Sequence, residues 1–139
     1  PSNITIEVTE TTVMNNHAHI LDTLYSLKDM GFKLSMDDFG TGYSSMARIL
    51  ELPLDEIKID KIFVRHMTTH HKHERIVDSM INLAHRLNLT VVAEGVEDTE
   101  TYKRLKALGC DVIQGYLVGK AMPLADLIRT ITHPPPQLA

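Results

Sequence analysis

The feature that most constrains the fold is a regular alternation of strand-forming and helix-forming segments along the chain. Segments rich in β-branched and other strand-forming residues occupy positions 4–9, 32–36, 56–60, 90–93 and 111–115. A helical segment follows each of them, which is the pattern of parallel strands joined by right-handed crossovers. The sequence therefore predicts an α/β fold made of about five strand–helix units.

Two architectures use this unit, an open doubly wound sheet and a closed (β/α)8 barrel of the TIM type. A complete barrel takes roughly 200 residues or more, whereas this chain has 139. We therefore expect a partial TIM-type barrel with parallel strands, about five of the eight βα units. A five-stranded open sheet is the alternative that strand spacing alone leaves open.

The helical segments show apolar residues at helical spacing and are bounded by residues that end helices. They are predicted at 17–30, 44–50, 73–87, 99–108 and 124–131. Gly31 and Gly109 stand where helix C-caps are expected, and Pro53 stops the short second helix. Residues 1–132 are predicted to form the domain, and 133–139, with three consecutive prolines, an extended or disordered tail.

The charge balance restricts the class of ligand. Fourteen Lys and Arg against eighteen Asp and Glu give a net charge of −4. A nucleic-acid polymer held through its phosphates is therefore not expected as a partner. A smaller nucleotide would need a local source of positive charge for its phosphates, such as metal ions.

The chain has the composition of a cytoplasmic segment. Its single cysteine, Cys110, cannot form an internal disulfide and is interpreted as a small buried hydrophobe, which fits a reducing cytosol. No apolar run approaches the roughly 20 residues that span a bilayer, so no membrane contact is expected. The chain has no initiator Met and opens on a strand pattern, so we expect it to begin inside a larger protein.

Charged residues cluster where the predicted strands end. They are Glu7, Asp37, Asp38, Lys58, Asp60, Glu94 and Glu97. Ligands of parallel α/β folds bind at the carboxyl ends of strands, where distant residues converge. Carboxylates crowded there repel one another unless cations are present, and an oxygen-rich set without thiols suits Mg²⁺ or Mn²⁺.

Each of these residues also has an ordinary structural interpretation. Glu7 can be an alternating solvent residue, and the Asp37–Asp38 pair can form a turn and helix cap. Lys58 and Asp60 can simply end a strand, and Glu94 can belong to a loop. These ordinary interpretations explain the residues one at a time, but they explain the whole set less well, because all its members fall at the same end of consecutive strands.

Five blocks of sequence, in order, resemble the motifs of EAL-domain cyclic-di-GMP phosphodiesterases. They read IEVTE at 6–10, DDFGTGYSS at 37–45, KIDK at 58–61, AEGVE at 93–97 and QGY at 114–116. The resemblance covers residues 4 to 128, and a block of nine residues such as 37–45 is already specific. It implies a TIM-type barrel that hydrolyses cyclic di-GMP to the linear dinucleotide pGpG in bacterial signalling.

The resemblance implies metal-binding roles for four carboxylates, with two ions, Mg²⁺ or Mn²⁺, in each active site. Glu7 corresponds to a metal ligand, Asp37 to the carboxylate that bridges the two metals, and Asp38 to a ligand of the second. Glu94 corresponds to a ligand of the second metal or to the general base.

The resemblance also implies roles for the residues around the metals. Lys58 matches the lysine that holds the attacking water, and Asp60 the carboxylate beside it. Glu97 and Gln114 match substrate-contacting positions, and Tyr116 is placed with them. Tyr116 and Tyr43 can stack on guanine or cap the barrel, and the sequence does not decide which.

The resemblance also implies that the loop DDFGTG, at residues 37–42, couples metal binding to a dimer contact. Glu10 resembles the glutamate that anchors this loop, and Gly40 and Gly42 give its backbone the freedom to change shape. A tight turn is the alternative. The expected partners are therefore cyclic di-GMP and a second copy in a homodimer.

The family's Glu-Ala-Leu motif and a later Asn, both metal ligands, are absent from these residues. The chain is thus expected to be the C-terminal part of an EAL domain with an incomplete metal shell. The alternative function is a catalytically inactive EAL domain that serves as a cyclic-di-GMP receptor or interaction module.

Four histidines, His66, His70, His71 and His73, cluster between a predicted strand and helix. Imidazoles bind zinc and nickel, so a metal site is one interpretation. Their spacing lacks the regularity of known ligand motifs, which favours a polar loop.

Overall fold

The computed structural model describes residues 1–15, 17–41 and 49–132, apart from the side chains at 14, 15 and 17–19. The strands are β1 (Thr5–Thr9), β2 (Lys33–Phe39), β3 (Glu56–Ile59), β4 (Thr90–Glu94) and β5 (Val112–Gln114). The helices are α1 (Glu10–Asn15), α2 (His17–Asp29), α3 (Lys61–Val64), α4 (His71–Arg86), α5 (Thr99–Ala107) and α6 (Leu124–Thr132).

The strands form one parallel sheet in the order β1-β2-β3-β4-β5. A doubly wound sheet reverses its strand order at a switch point, whereas each strand of a barrel pairs with the next one along the chain. The observed order is that of a barrel segment. The open doubly wound alternative is therefore wrong, and β1 and β5 lie at the two edges of the described sheet.

The two faces of the sheet differ in polarity because successive side chains of a strand alternate between faces. On β2, Leu34 and Met36 are fully buried in the apolar core, while Ser35 and Asp37 alternate with them. The strand register extends this division across the sheet. The apolar face carries Leu34, Met36, Ile57, Ile59, Val91 and Ala93, which pack with Leu24 of α2 and with Val77, Ile81 and Ala84 of α4.

The long helix α4 shows how the sequence produces this packing. Val77, Ile81 and Ala84 recur at helical spacing and are its buried residues, so one stripe of the helix covers the sheet. The helix ends at Arg86, and Asn88 just beyond it adopts φ 58°. Asn tolerates this left-handed conformation, which ends helices by turning the chain.

Helix α5 is capped by its own sequence. Asp98 accepts hydrogen bonds from the backbone N–H and the hydroxyl of Thr101, both at 2.8 Å. The hydrogen bond from the Thr101 backbone holds the pKa of Asp98 below its usual value, against the opposing effect of burial. The cap fixes the start of α5.

The elements differ from the sequence-based prediction in three places. The first helix was predicted from residue 17, but α1 starts at Glu10, where Thr9 Oγ1 accepts a hydrogen bond from Thr12 N at 3.3 Å. β2 runs to Phe39 rather than ending at 36, and the short helix α3 was not predicted. The helix predicted at 44–50 falls mainly, and the tail at 133–139 entirely, outside the described residues.

None of the helices in the described part of the chain has the length and apolar composition needed to cross a bilayer.

A pair of isoleucines on α4 tests the packing. Ile81 is 0% exposed and Ile76 is 40% exposed. Ile81→Ala should cost about 2–5 kcal/mol of unfolding free energy through lost burial and a cavity, whereas Ile76→Ala should cost under about 1 kcal/mol. Urea unfolding of the full-length protein measures both, and equal losses would contradict the assigned face of α4.

Candidate active site

The centre of the candidate site is the ammonium group of Lys58 on β3. Its Nζ lies 2.9 Å from Glu7 Oε1 on β1, 2.7 Å from Glu94 Oε1 on β4, and 3.5 Å from Asp37 Oδ1 on β2. Four consecutive strands thus contribute one charged side chain each to a single cluster, named here the Lys58 cluster. The convergence that the sequence predicted at the strand ends is present for these residues.

Strand register explains why these side chains meet. Glu7 pairs with Ser35, Ser35 with Glu56, and Glu94 with Gln114. Residues two apart share a face, so the face that carries Ser35 also carries Asp37, and the face that carries Glu56 also carries Lys58. The Lys58 cluster therefore lies on the face opposite the apolar core.

Lys58 stays protonated although it is only 4% exposed. Burial by itself lowers the pKa of Lys58, but hydrogen bonds to Glu7 and Glu94 and the charge of Asp37 raise it above its ordinary value. A buried ammonium is costly unless it is paired, and a group of carboxylates is costly unless it is neutralised. Each therefore stabilises the other.

Asp38 joins the site through a departure from strand geometry. Neighbours in a regular strand point to opposite faces, which would separate Asp38 from Asp37. Asp38 has φ 58°, and the pairing of β2 with β3 shifts register between Met36 and Phe39. Burial and the nearby carboxylates of Asp37, Asp60 and Glu94 raise the pKa of Asp38.

Asp60 has a structural partner as well as a place beside the cluster. Its Oδ1 accepts a hydrogen bond of 2.7 Å from Ile62 N, which caps α3. The same side chain contributes to the raised pKa of Asp38. Asp60 thus both caps a helix, a role that the sequence analysis did not predict, and neighbours Asp38.

Glu10, the first residue of α1, is a buried carboxylate. It is 2% exposed and its Oε2 accepts a hydrogen bond of 2.9 Å from Gly40 N. Gly40 has φ 91°, a backbone conformation that strains any residue with a Cβ. Gly42 lies outside the described residues.

A cavity of about 230 Å³ adjoins the cluster. It is lined by the predicted substrate residues Glu97, Gln114 and Tyr116, together with Glu94, Lys61, Arg65, Gly95 and Gly115. The predicted substrate residues therefore share one cavity with a member of the Lys58 cluster.

Sequence reasoning missed two features of this cavity. Arg65 Nη2 forms an ion pair of 2.7 Å with Glu97 Oε1, and no motif pointed to Arg65. Gly115 lies so close to Val96 that a Cβ would come 2.2 Å from its carbonyl oxygen. The only signal in the sequence was the position of Gly115 between Gln114 and Tyr116, both already chosen as site residues.

The carboxylates of the cluster have the donor chemistry that Mg²⁺ and Mn²⁺ prefer. Within the described ranges, no group of three or more His, Cys, Asp or Glu side chains stands in an arrangement that holds a metal ion. The carboxylates of Glu7, Asp37 and Glu94 nevertheless converge on one positive charge, the Lys58 ammonium. All the donors are oxygens, so the residues present fit an oxygen-seeking dication.

Comparisons with known proteins agree with this arrangement. Residues 1–121 match the model of the EAL domain. The chain is 43% identical over 123 residues to the cyclic di-GMP phosphodiesterase RocR of Pseudomonas aeruginosa, covering 88% of this chain and 31% of RocR. It is 41% identical over 124 residues to the oxygen sensor protein DosP of Escherichia coli, covering 89% of this chain and 16% of DosP. The chain thus spans under a third of either relative.

Solved structures show the same fold. The phosphodiesterase PaMucR in complex with c-di-GMP superposes with a TM-score of 0.87 at 42% identity, covering 91% of this chain and 51% of that one. BlrP1 of Klebsiella pneumoniae, with manganese and cy-diGMP, superposes with a TM-score of 0.80 at 37% identity, covering 86% and 30%. These neighbours are EAL domains, which are TIM barrels, and the five parallel strands described here are part of such a barrel.

Replacing Lys58 by an apolar residue tests the charge balance. Lys58→Met in the full-length protein should cost about 2 kcal/mol of unfolding free energy at pH 7, because three carboxylates lose their shared cation. The loss should shrink as the pH falls toward 4, since protonation relieves the repulsion. Because the pKa of Lys58 is raised, its ammonium keeps its charge throughout this pH range, so the change in the loss comes from the carboxylates.

Denaturant unfolding at several pH values in the presence of a chelator measures this loss. Lys33→Met, an exposed lysine on β2, serves as the control and should change stability little. A loss for Lys58→Met that is independent of pH would show that Lys58 contributes packing rather than charge.

Proposed function

This chain belongs to the EAL domain family, and we propose from that premise that it forms the C-terminal part of a domain that hydrolyses cyclic di-GMP to pGpG with Mg²⁺ or Mn²⁺. The observation that carries the proposal is the Lys58 cluster. Burying charged groups is costly, so a surface without a function is not expected to gather Glu7, Asp37 and Glu94 around the buried Lys58 ammonium.

The relatives support both the substrate and the metals. RocR and the proteins NbdA of Pseudomonas aeruginosa and PdeF of Escherichia coli carry the name cyclic di-GMP phosphodiesterase. BlrP1 is described as a complex with cy-diGMP and manganese, and in another crystal with calcium. We infer the same substrate and an oxygen-bound dication for this chain.

Glu7, Asp37, Asp38 and Glu94 are the residues that would hold the two ions. When bound, divalent cations there would neutralise the negative charge that develops on a phosphodiester, which carboxylates alone cannot do. The raised pKa of Asp38 reflects burial and the repulsion it suffers from Asp37, Asp60 and Glu94. That repulsion makes the set receptive to positive charge.

Lys58 is proposed to orient the attacking water. Its ammonium donates hydrogen bonds, and its contacts with Glu7 and Glu94 fix its position. Hydrolysis joins the water oxygen to phosphorus and breaks one P–O bond of the ring. We propose that Glu94, whose Oε1 lies 2.7 Å from Lys58 Nζ, takes the proton of the water, and that the released ribose oxygen gains a proton from solvent.

The adjoining cavity is proposed to hold one guanine. Gln114 has both a donor and an acceptor for a base edge. Tyr116 is exposed, offers a ring face, and has Lys120 Nζ 4.8 Å from its ring centroid. Glu97 is fixed by Arg65 at the rim. We propose base recognition for these three residues, and homodimer formation for the region that Glu10 anchors through Gly40.

Replacing Asp37 tests the proposal. Asp37→Asn in the full-length protein removes one negative charge without changing the size of the side chain. Hydrolysis of cyclic di-GMP in Mg²⁺ or Mn²⁺ should fall at least about 100-fold, because charge stabilisation in the transition state is lost. The release of pGpG, measured by chromatography, provides the rate.

Asp22→Asn, on the exposed surface of α2, is the matched control and should keep wild-type turnover. Near-normal turnover of Asp37→Asn would refute the metal-binding role. Wild-type protein that binds cyclic di-GMP without cleaving it, in either metal, would instead identify the inactive receptor.

A further inference from the structure

Three of the four clustered histidines meet at the start of α4. The ring centroids are 5.8 Å apart for His66 and His70, 5.5 Å for His66 and His73, and 5.7 Å for His70 and His73. The rings thus form a nearly equilateral triangle, named here the His66 triangle. The sequence had favoured an ordinary polar loop, and the irregular spacing gave no hint of this geometry.

The size of the triangle is close to that of a metal site. Zinc lies about 2.0–2.1 Å from imidazole nitrogens, so three ligand rings in tetrahedral geometry have centroids roughly 5 Å apart. The His66 triangle exceeds that separation by under about 1 Å. Metal binding requires the rings to turn so that one nitrogen of each faces the centre of the triangle.

The backbone already holds the three residues in place. His66 lies in the turn after α3, where Met67 is buried. His70 N donates to His66 O at 2.9 Å, and His73 N donates to His70 O at 2.9 Å. His70 is the N-cap residue of α4 but its side chain makes no capping hydrogen bond. These backbone hydrogen bonds fix the spacing of the three residues.

The ring nitrogens are available for a ligand. His70 Nδ1 is hydrogen-bonded to Thr69 Oγ1 at 2.8 Å, which leaves Nε2 for a metal and supplies the outer hydrogen bond that ligand histidines usually make. His73 Nδ1 is buried and has no hydrogen-bond partner among the described residues. An unpaired buried nitrogen is unfavourable, and a metal bond would satisfy it.

The rings now meet edge to face, with interplanar angles of 60–86°. As they stand, neither they nor any other three His, Cys, Asp or Glu side chains in the described ranges are arranged around a metal. His66 and His70 are exposed, so their rings can turn without disturbing the core. The neighbouring carboxylate of Glu74 is paired with Arg104 and His71.

We propose that His66, His70 and His73 form a second metal site, distinct from the Lys58 cluster, for a dication that prefers imidazole, such as Zn²⁺ or Ni²⁺. Three neutral nitrogens suit these ions and not Mg²⁺ or Mn²⁺, which prefer oxygen. Three protein ligands leave a fourth position for water. The site lies next to Arg65, which fixes Glu97 at the rim of the cavity.

The test is a Zn²⁺ titration of the full-length protein, free of any histidine tag, against a chromogenic zinc indicator. Excess Mg²⁺ is present throughout to occupy the oxygen ligands of the Lys58 cluster. His66→Gln, His70→Gln and His73→Gln should each weaken Zn²⁺ binding at least about 10-fold, because each removes one of three ligands. X-ray absorption of the zinc-loaded wild type should show three imidazole ligands.

His71→Gln is the matched control, since His71 lies within the same segment but its side chain is 94% exposed. It should change Zn²⁺ affinity less than about twofold. The absence of saturable Zn²⁺ binding in the wild type, or equal losses in all four variants, would overturn the proposal. Circular dichroism of the metal-free variants separates a lost ligand from a lost fold.

Discussion

The ion pairs of Lys58 are the interactions on which the rest of the site depends. A lysine that is only 4% exposed is unfavourable in isolation, and so are carboxylates gathered from β1, β2 and β4. Their mutual neutralisation lets both lie at the ends of a packed parallel sheet. The same arrangement underlies the proposed chemistry, because carboxylates held close together attract divalent cations, and a fixed ammonium can orient a water molecule.

The side chains of the Lys58 cluster are positioned by the strands of the sheet rather than by loops. Alternation along each strand places one row of side chains in the apolar core and the next row on the polar face, and the parallel register aligns those rows between strands. The exception is Asp38, whose left-handed backbone and shifted register bring it beside Asp37. Two consecutive carboxylates thereby reach one site, which a regular strand does not allow.

Much of this organisation could be predicted from the sequence, because strand and helix periodicity and charges at strand ends are local signals. The strand positions, the helices α2, α4, α5 and α6, and the grouping of Glu7, Asp37 and Glu94 follow from such signals. Helices α1 and α3 are too short to show a period. The pairing of Arg65 with Glu97 and the His66 triangle depend on how turns bring side chains together, which spacing along the chain does not reveal.

We propose that the Lys58 cluster binds the metal ions of a phosphodiesterase. Anomalous X-ray diffraction from crystals of the full-length protein soaked in Mn²⁺ tests it most directly. We expect anomalous peaks within about 2.2 Å of carboxylate oxygens of Glu7, Asp37 and Asp38, with Lys58 still beside Glu94. Peaks confined to other parts of the surface, with Lys58 keeping all three carboxylates, would contradict it.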